Sequence, residues 1–200
     1  MPSLKQSTAS TGSPIEGVTV EYFGPGELPT QWTMGDYMLV SAGVWKDGKR
    51  GPVPWVSRLI QIGQGIRFRG ANRPFAHWNH AVWVSEDCLI EALAHGVTAS
   101  PFEKYRDVEF HLVHSNLNDI ERRDGDAFVR YELAHHVRYG FLTILSIALS
   151  LLTGLRFTFG MLNTAICSGL VAAALAAPQW REDPSHVMPA DLAQYANIRP

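Results

Sequence analysis

The chain has 200 residues, 46% of them hydrophobic and 18% charged, with 17 basic against 19 acidic side chains and a formal net charge of -2. That length suits one domain with a full core, and the charge balance excludes the basic field that draws proteins to phosphate backbones, so no nucleic-acid partner is expected. The 2 cysteines cannot build a disulfide framework, and the first residues lack the basic-then-apolar run of a secretory signal; a reducing, cytoplasmic setting is expected, with a virion or exported location left open.

The opening "MPSLKQSTASTGSP" is rich in Ser, Thr, Gly and Pro and has no periodic apolar face, which predicts a flexible arm over 1–17 and a single domain over 18–200. "GVTVEYF" (17–23) alternates weakly and predicts an edge strand, followed by the turn-rich "GPGELP". "YMLVSAG" (37–43) reads as the first core strand, and "VSRLIQIGQGI" (56–66) as a short helix with apolar residues at helical spacing. "HAVWVSEDCLIEALAHG" (80–96) and "VEFHLVH" (108–114) are rich in β-formers, with Glu86-Asp87 marking a hairpin turn. From Asn116 to about Arg138 the pattern is helical, and "DGD" (124–126) predicts a break between two helices. The whole is an α+β pattern.

"YGFLTILSIALSLLTGL" (139–155) carries no charge. It falls a little short of the roughly 20 apolar residues that span a bilayer and is dotted with Thr, Ser and Gly, so a buried core helix is favoured over membrane contact. "NTAICSGLVAAALAA" (163–177) predicts a helix capped by Asn163 or Thr164, with Cys167 in its first turn. A helix N-terminus favours thiolate, the nucleophilic form of cysteine, and so does a neighbouring imidazolium.

His80 is the candidate for that imidazole. Most of the 8 histidines look ordinary: His135 and His136 lie in the helical stretch, His95 near a turn and His186 in a Pro-containing loop, whereas His80 lies in "WNHAVWV", a strand that reads as buried. A two-residue turn at Glu86-Asp87 sets Ser85 opposite Cys88 and His80 opposite Leu93. Glu91 then points to the same face as His80, within diagonal reach, where a carboxylate fixes the tautomer of the ring and supports its positive form. Cys88 falls on the other face and reads as structural.

These residues carry a family resemblance. "CSGLV" (167–171) resembles the nucleophile motif of the NlpC-type papain-like cysteine peptidases, and "GDYMLV" (35–40) resembles their Gly-Asp strand. The cysteine follows the histidine strand instead of preceding it, as in the circularly permuted, YiiX-like branch of that superfamily. "SRLIQIGQ" (57–64), "IEALAHGVTASPFEKY" (90–105), "RYGF" (138–141) and "MPADLAQY" (188–195) are similar to that branch in order and spacing, so the resemblance covers roughly 34–196. "NHAVW" departs from the Ser-His-Val-Gly-Ile common in the family, with bulkier surroundings.

The resemblance implies a circularly permuted papain-like fold, with an antiparallel sheet packed against the helix bearing the cysteine. It further implies a cofactor-free thiol hydrolase in which Cys167 is nucleophile, His80 general base and acid, and Glu91 the group that orients His80. Expected substrates are small-molecule, peptide or lipid-linked acyl compounds; the alternatives on this scaffold are an acyltransferase, or an inactive binding or membrane-associated module. Trp78, Trp83 and Phe75 could line a greasy groove, although core packing explains such residues equally well. The H-x-x-H pairs at 77–80 and 111–114 raise a zinc alternative with Cys167, which is disfavoured because positions i and i+3 of a strand point to opposite faces.

Overall fold

The computed structural model describes residues 16–41, 45–46, 49–50, 55–93, 95–139, 164–176 and 184–200. The arm expected over 1–17 therefore lies, apart from Glu16 and Gly17, outside the described residues, and so does the apolar segment 139–155 apart from Tyr139. In chain order the strands are β1 (Thr19–Phe23), β2 (Tyr37–Val40), β3 (Trp45–Lys46), β4 (Lys49–Arg50), β5 (His80–Val84), β6 (Leu89–Leu93), β7 (Gly96–Ser100), β8 (Phe110–His114), β9 (Arg138–Tyr139) and β10 (Thr164–Ala165). The helices are α1 (Trp55–Arg67), α2 (Asp119–Ala134), α3 (Cys167–Leu175) and α4 (Pro189–Tyr195), with 3-10 segments at Gly70–His77, Phe102–Tyr105 and Pro184–His186.

Six strands form one antiparallel sheet in the order β1-β8-β2-β5-β6-β7, so β1 is an edge strand as its weak alternation predicts. Two-residue side-chain periodicity divides the sheet's residues between two cores. Tyr37, Leu39, Ala81, Trp83, Ile90, Ala92, Val97 and Val113 face α3 and α4, packing with Leu170, Val171, Leu192 and Ala193. Met38, Val40, Val82, Val84, Leu89, Phe110 and Leu112 face the other way, onto Phe102, Tyr105 and Val108. No described helix is long and apolar enough to cross a membrane.

The Gly-Asp pair before β2 anchors that strand. Gly35 has φ +95°, and a Cβ there would lie 2.8 Å from Arg122 Cγ, so both conformation and space call for glycine. Asp36 is fully buried; it accepts from the Thr33 and Ser115 N–H groups and from Arg122 Nη1, and pairs with His114 Nδ1 at 2.8 Å. One buried carboxylate thereby ties β2 to β8 and to α2, and it is satisfied on every side as a buried charge must be.

The break expected at "DGD" is absent: α2 runs unbroken from Asp119 to Ala134. Asn118 caps it with a reciprocal capping box to Glu121, which stabilises the first turn. Gly125 is there for contact, since its Cα side faces the Ala174 carbonyl and the Trp83 ring. Asp126, beside it, accepts from Trp83 Nε1 at 3.2 Å and from Ser85 Oγ, and pairs with Arg130 Nε at 2.8 Å. The motif docks α2 on the β5-β6 hairpin. The helix also ends earlier than expected, because Val137 O accepts from Val97 N beside β7 and Arg138–Tyr139 pair in parallel with Thr164–Ala165.

His111 gives this fold a measurable acid sensitivity. Its ring lies edge-on to Trp78 at 4.7 Å, its Nδ1 has no hydrogen-bond partner among the described residues, and burial with His77 nearby pushes its pKa down to about 4. A group depressed in the folded state contributes stability above its unfolded pKa, about 6.5, which is lost progressively as pH falls toward 4. Thermal melts from pH 7 to 4.5 are expected to fall less steeply for His111→Phe than for the wild type; identical slopes would show that the imidazole stays solvated.

Candidate active site

Glu86-Asp87 closes the β5-β6 hairpin with Ser85 N donating to Cys88 O, Val84 opposite Leu89 and Trp83 opposite Ile90. That register places His80 and Glu91 on one face, and His80 Nε2 meets Glu91 Oε2 at 2.8 Å. Because Nε2 is engaged, Nδ1 is the nitrogen left to exchange a proton with a third group. His80 is the first residue of β5, at the end of the sheet, where α3 begins on the opposite layer. There the Cys167 thiol and the His80 ring are close enough to perturb each other's ionisation.

The entry to α3 differs from the sequence expectation. Thr164 lies in β10 and does not cap the helix; Asn163 is outside the described residues. The capping position is Ile166, which has no side-chain oxygen, so the first N–H groups of α3 receive no side-chain cap. The Ser168 N–H of this uncapped first turn, with the positive end of the helix dipole, favours the charged form of Cys167 at the first helical position. Ser168 Oγ donates to Val187 O at 2.6 Å and pins this turn to the segment before α4.

The lead-in to His80 is held just as firmly. Gln64 of α1 is fully buried, donates to Trp78 O at 2.8 Å and accepts from Ala190 N at 2.8 Å, so one amide joins α1, the approach to β5 and α4. Arg67 and Asp191 reinforce the α1-α4 contact with a 2.8 Å ion pair. Trp78 and Trp83 are fully buried and Phe75 nearly so, all within the core. These three rings serve packing, one of the two roles that the sequence left open for them.

Electrostatics favour an ion pair between Cys167 and His80. Burial opposes charge on His80, but Cys167 and Glu91 outweigh it and raise its pKa to about 9. Burial pushes the Cys167 thiol up, yet the imidazole and the Ala81 and Ser168 N–H groups bring it below an ordinary thiol. Burial likewise works against ionised Glu91, and hydrogen bonds and charge from His80 and Lys104, with Ser100, hold its carboxyl well below the usual carboxylate range. Cys88 behaves oppositely: burial and Asp87 raise its thiol.

Sequence reasoning missed two members of this cluster. Lys104 Nζ bonds Glu91 Oε1, and Tyr105 OH donates to Glu91 Oε2 at 2.6 Å while its ring stacks with His80 at 6.4 Å between centroids. The H-x-x-H pairs do not converge: His77 is bonded to Glu109, His80 to Glu91 and His114 to Asp36. Among the described residues no group of three or more His, Cys, Asp and Glu side chains has the geometry to hold a metal ion. A surface cleft of about 600 Å³ lined by Gln61, Arg73, Pro74, His77 and Pro200 contains none of Cys167, His80 and Glu91.

Comparison with protein-family models, with curated proteins and with solved structures returns no match to this chain.

Proposed function

We propose that the chain is a thiol hydrolase of the permuted papain-like type, in which Cys167 attacks an amide or ester and His80, oriented by Glu91, moves the protons. The observation that carries this reading is an imidazole bonded to a fully buried carboxylate and close enough to the Cys167 thiol for each to shift the other's ionisation. A structural cysteine needs no imidazolium, and a structural histidine needs no thiolate. The pairing makes physical sense where a nucleophile must be ionised at neutral pH.

The steps follow from the positions of the donors. Cys167 thiolate adds to the acyl carbon, and the carbonyl oxygen takes up charge that the Cys167 N–H, at the uncapped start of α3, can stabilise. Collapse of the adduct breaks the bond to the leaving group, which takes its proton from the His80 imidazolium and leaves a thioester. His80, now neutral, removes a proton from water as it attacks the thioester, and the thiolate departs. An acceptor other than water at this second stage would make the protein an acyltransferase.

Alkylation by a small reagent such as iodoacetamide, followed by mass spectrometry, tests the reading. At about pH 6.5 an ordinary thiol is only about 1% ionised. Cys167 is expected to label at least tenfold faster than Cys88, and His80→Ala to remove that advantage. Equal, slow labelling of both cysteines would overturn the proposal.

A further inference from the structure

Glu91 raises a problem that the catalytic trio does not solve. Its carboxylate is fully buried, and a protonated His80 facing an ionised Cys167 has its charge already committed. With thiolate, imidazolium and carboxylate alone the cluster would hold one uncompensated negative charge in a low-dielectric setting. The structure places a cation on the oxygen that His80 does not use. Lys104 Nζ bonds Glu91 Oε1 and also donates to Ser100 Oγ at 3.3 Å, while the phenol of Tyr105 shares Oε2 with His80.

We propose that Lys104 and Tyr105 are positioning residues of the catalytic site: Lys104 neutralises and clamps Glu91 through Oε1, and Tyr105 fixes Oε2, so that one defined lone pair is presented to His80 Nε2. The inference rests on the thiol-hydrolase reading of Cys167 and His80. Both side chains come from the 3-10 segment Phe102–Tyr105, which follows β7 and packs under the face of the sheet that carries Glu91. Phe102 and Tyr105 are buried there, anchoring the turn, whereas the Lys104 side chain is 37% exposed, with its amine turned inward to the carboxylate. Lys104 also lies 5.4 Å from the centre of the Tyr105 ring, so the two act as one unit.

The consequence is a charge balance that sets the working pH range. The titratable and charged groups facing Glu91 are His80 from β5, Lys104 and Tyr105 from the 3-10 segment and, beyond His80, Cys167 from α3. Removing the Lys104 charge makes each proton of the Cys167-His80 pair harder to lose. The pH at which the thiolate appears and the pH at which the imidazolium is lost both move upward, by about 0.5 to 1. A lysine that merely packed against the surface would leave both unchanged.

The test is the pH dependence of Cys167 alkylation by iodoacetamide, measured with the intact chain for the wild type, Lys104→Met, Lys104→Gln, Lys104→Arg and Tyr105→Phe, alongside thermal melts. Lys104→Met and Lys104→Gln are expected to shift the acid limb upward and to slow labelling several-fold near pH 6, with Lys104→Arg close to wild type. Tyr105→Phe keeps the charge and is expected to leave the acid limb closer to wild type than Lys104→Met does. An unshifted limb in the folded neutral variants would overturn the proposal, as would an Arg variant no different from Met. Failure of both neutral variants to fold would overturn it too, because Lys104 would then be structural. If wild-type Cys167 itself ionises like an ordinary thiol, the underlying hydrolase reading fails; a low-pH limb in the wild type unmoved by Lys104→Met fails the clamp alone.

Discussion

Cys167→Ser is expected to leave the fold intact and to lower the release of nitrophenolate from an activated nitrophenyl ester by roughly 10³-fold or more. The two side chains are nearly the same size, and the residue is only 2% exposed among Leu170, Val171 and Ala81, so little repacking follows. The introduced hydroxyl has His80 at hand as a partner, which spares the cost of an unsatisfied buried polar group. What disappears is the ion pair. A hydroxyl cannot be held as an anion by the groups that lower the thiol, and His80 loses the negative neighbour that helps to raise its pKa to about 9. Wild-type hydrolysis should show a plateau across neutral pH, bounded below by thiol ionisation and above by loss of the imidazolium proton near 9. Ester turnover unchanged in the serine variant, with an unchanged circular dichroism spectrum, would move the nucleophile elsewhere.

How far the site was legible depends on how local its determinants are. Two turn residues, Glu86 and Asp87, are enough to set the parity of β5 and β6, and parity alone brings His80 and Glu91 to one face; the observed 2.8 Å bond follows from that register. Lys104 and Tyr105 close the quoted stretch "IEALAHGVTASPFEKY", but their role could not be read for the converse reason. They lie on a four-residue 3-10 turn, and such a turn has no periodicity from which a direction can be read. Cys167 was placed at the start of its helix by composition, but its cap was assigned to Thr164 or Asn163 because these are good capping types, and propensity knows nothing of the strand that claims Thr164. The Gly-Asp pair at 35–36 was legible as a motif without revealing its work, which is to bind Arg122 and His114 from distant parts of the chain. The α+β class was legible from the strand-rich and helical stretches, and it takes the form of a six-stranded antiparallel sheet with its helices.

The second large effect concerns Gly125, where propensity and packing make opposite predictions. In an exposed helix interior Gly→Ala stabilises by about 1 kcal/mol. At Gly125 the added Cβ would lie 2.7 Å from the Ala174 carbonyl oxygen and 2.9 Å from Trp83 Cη2. Neither neighbour can yield cheaply: one is backbone near the end of α3, and the other is a fully buried ring whose Nε1 is tied to Asp126, the next residue along α2. Such overpacking costs about 1 to 3 kcal/mol, and here α2 and α3 must part along a backbone contact, which points to the upper end. Gly125→Ala is therefore expected to be destabilised by about 2 kcal/mol net, lowering the melting temperature by roughly 4 to 8 °C in a chain of this size. A melting temperature at or above that of the wild type would mean that the two helices do not touch as described. Because α3 carries Cys167 at its other end, the same variant should also slow Cys167 alkylation at neutral pH while leaving Cys88 unchanged, linking a helix contact remote from the sulfur to the alignment of the thiol with His80.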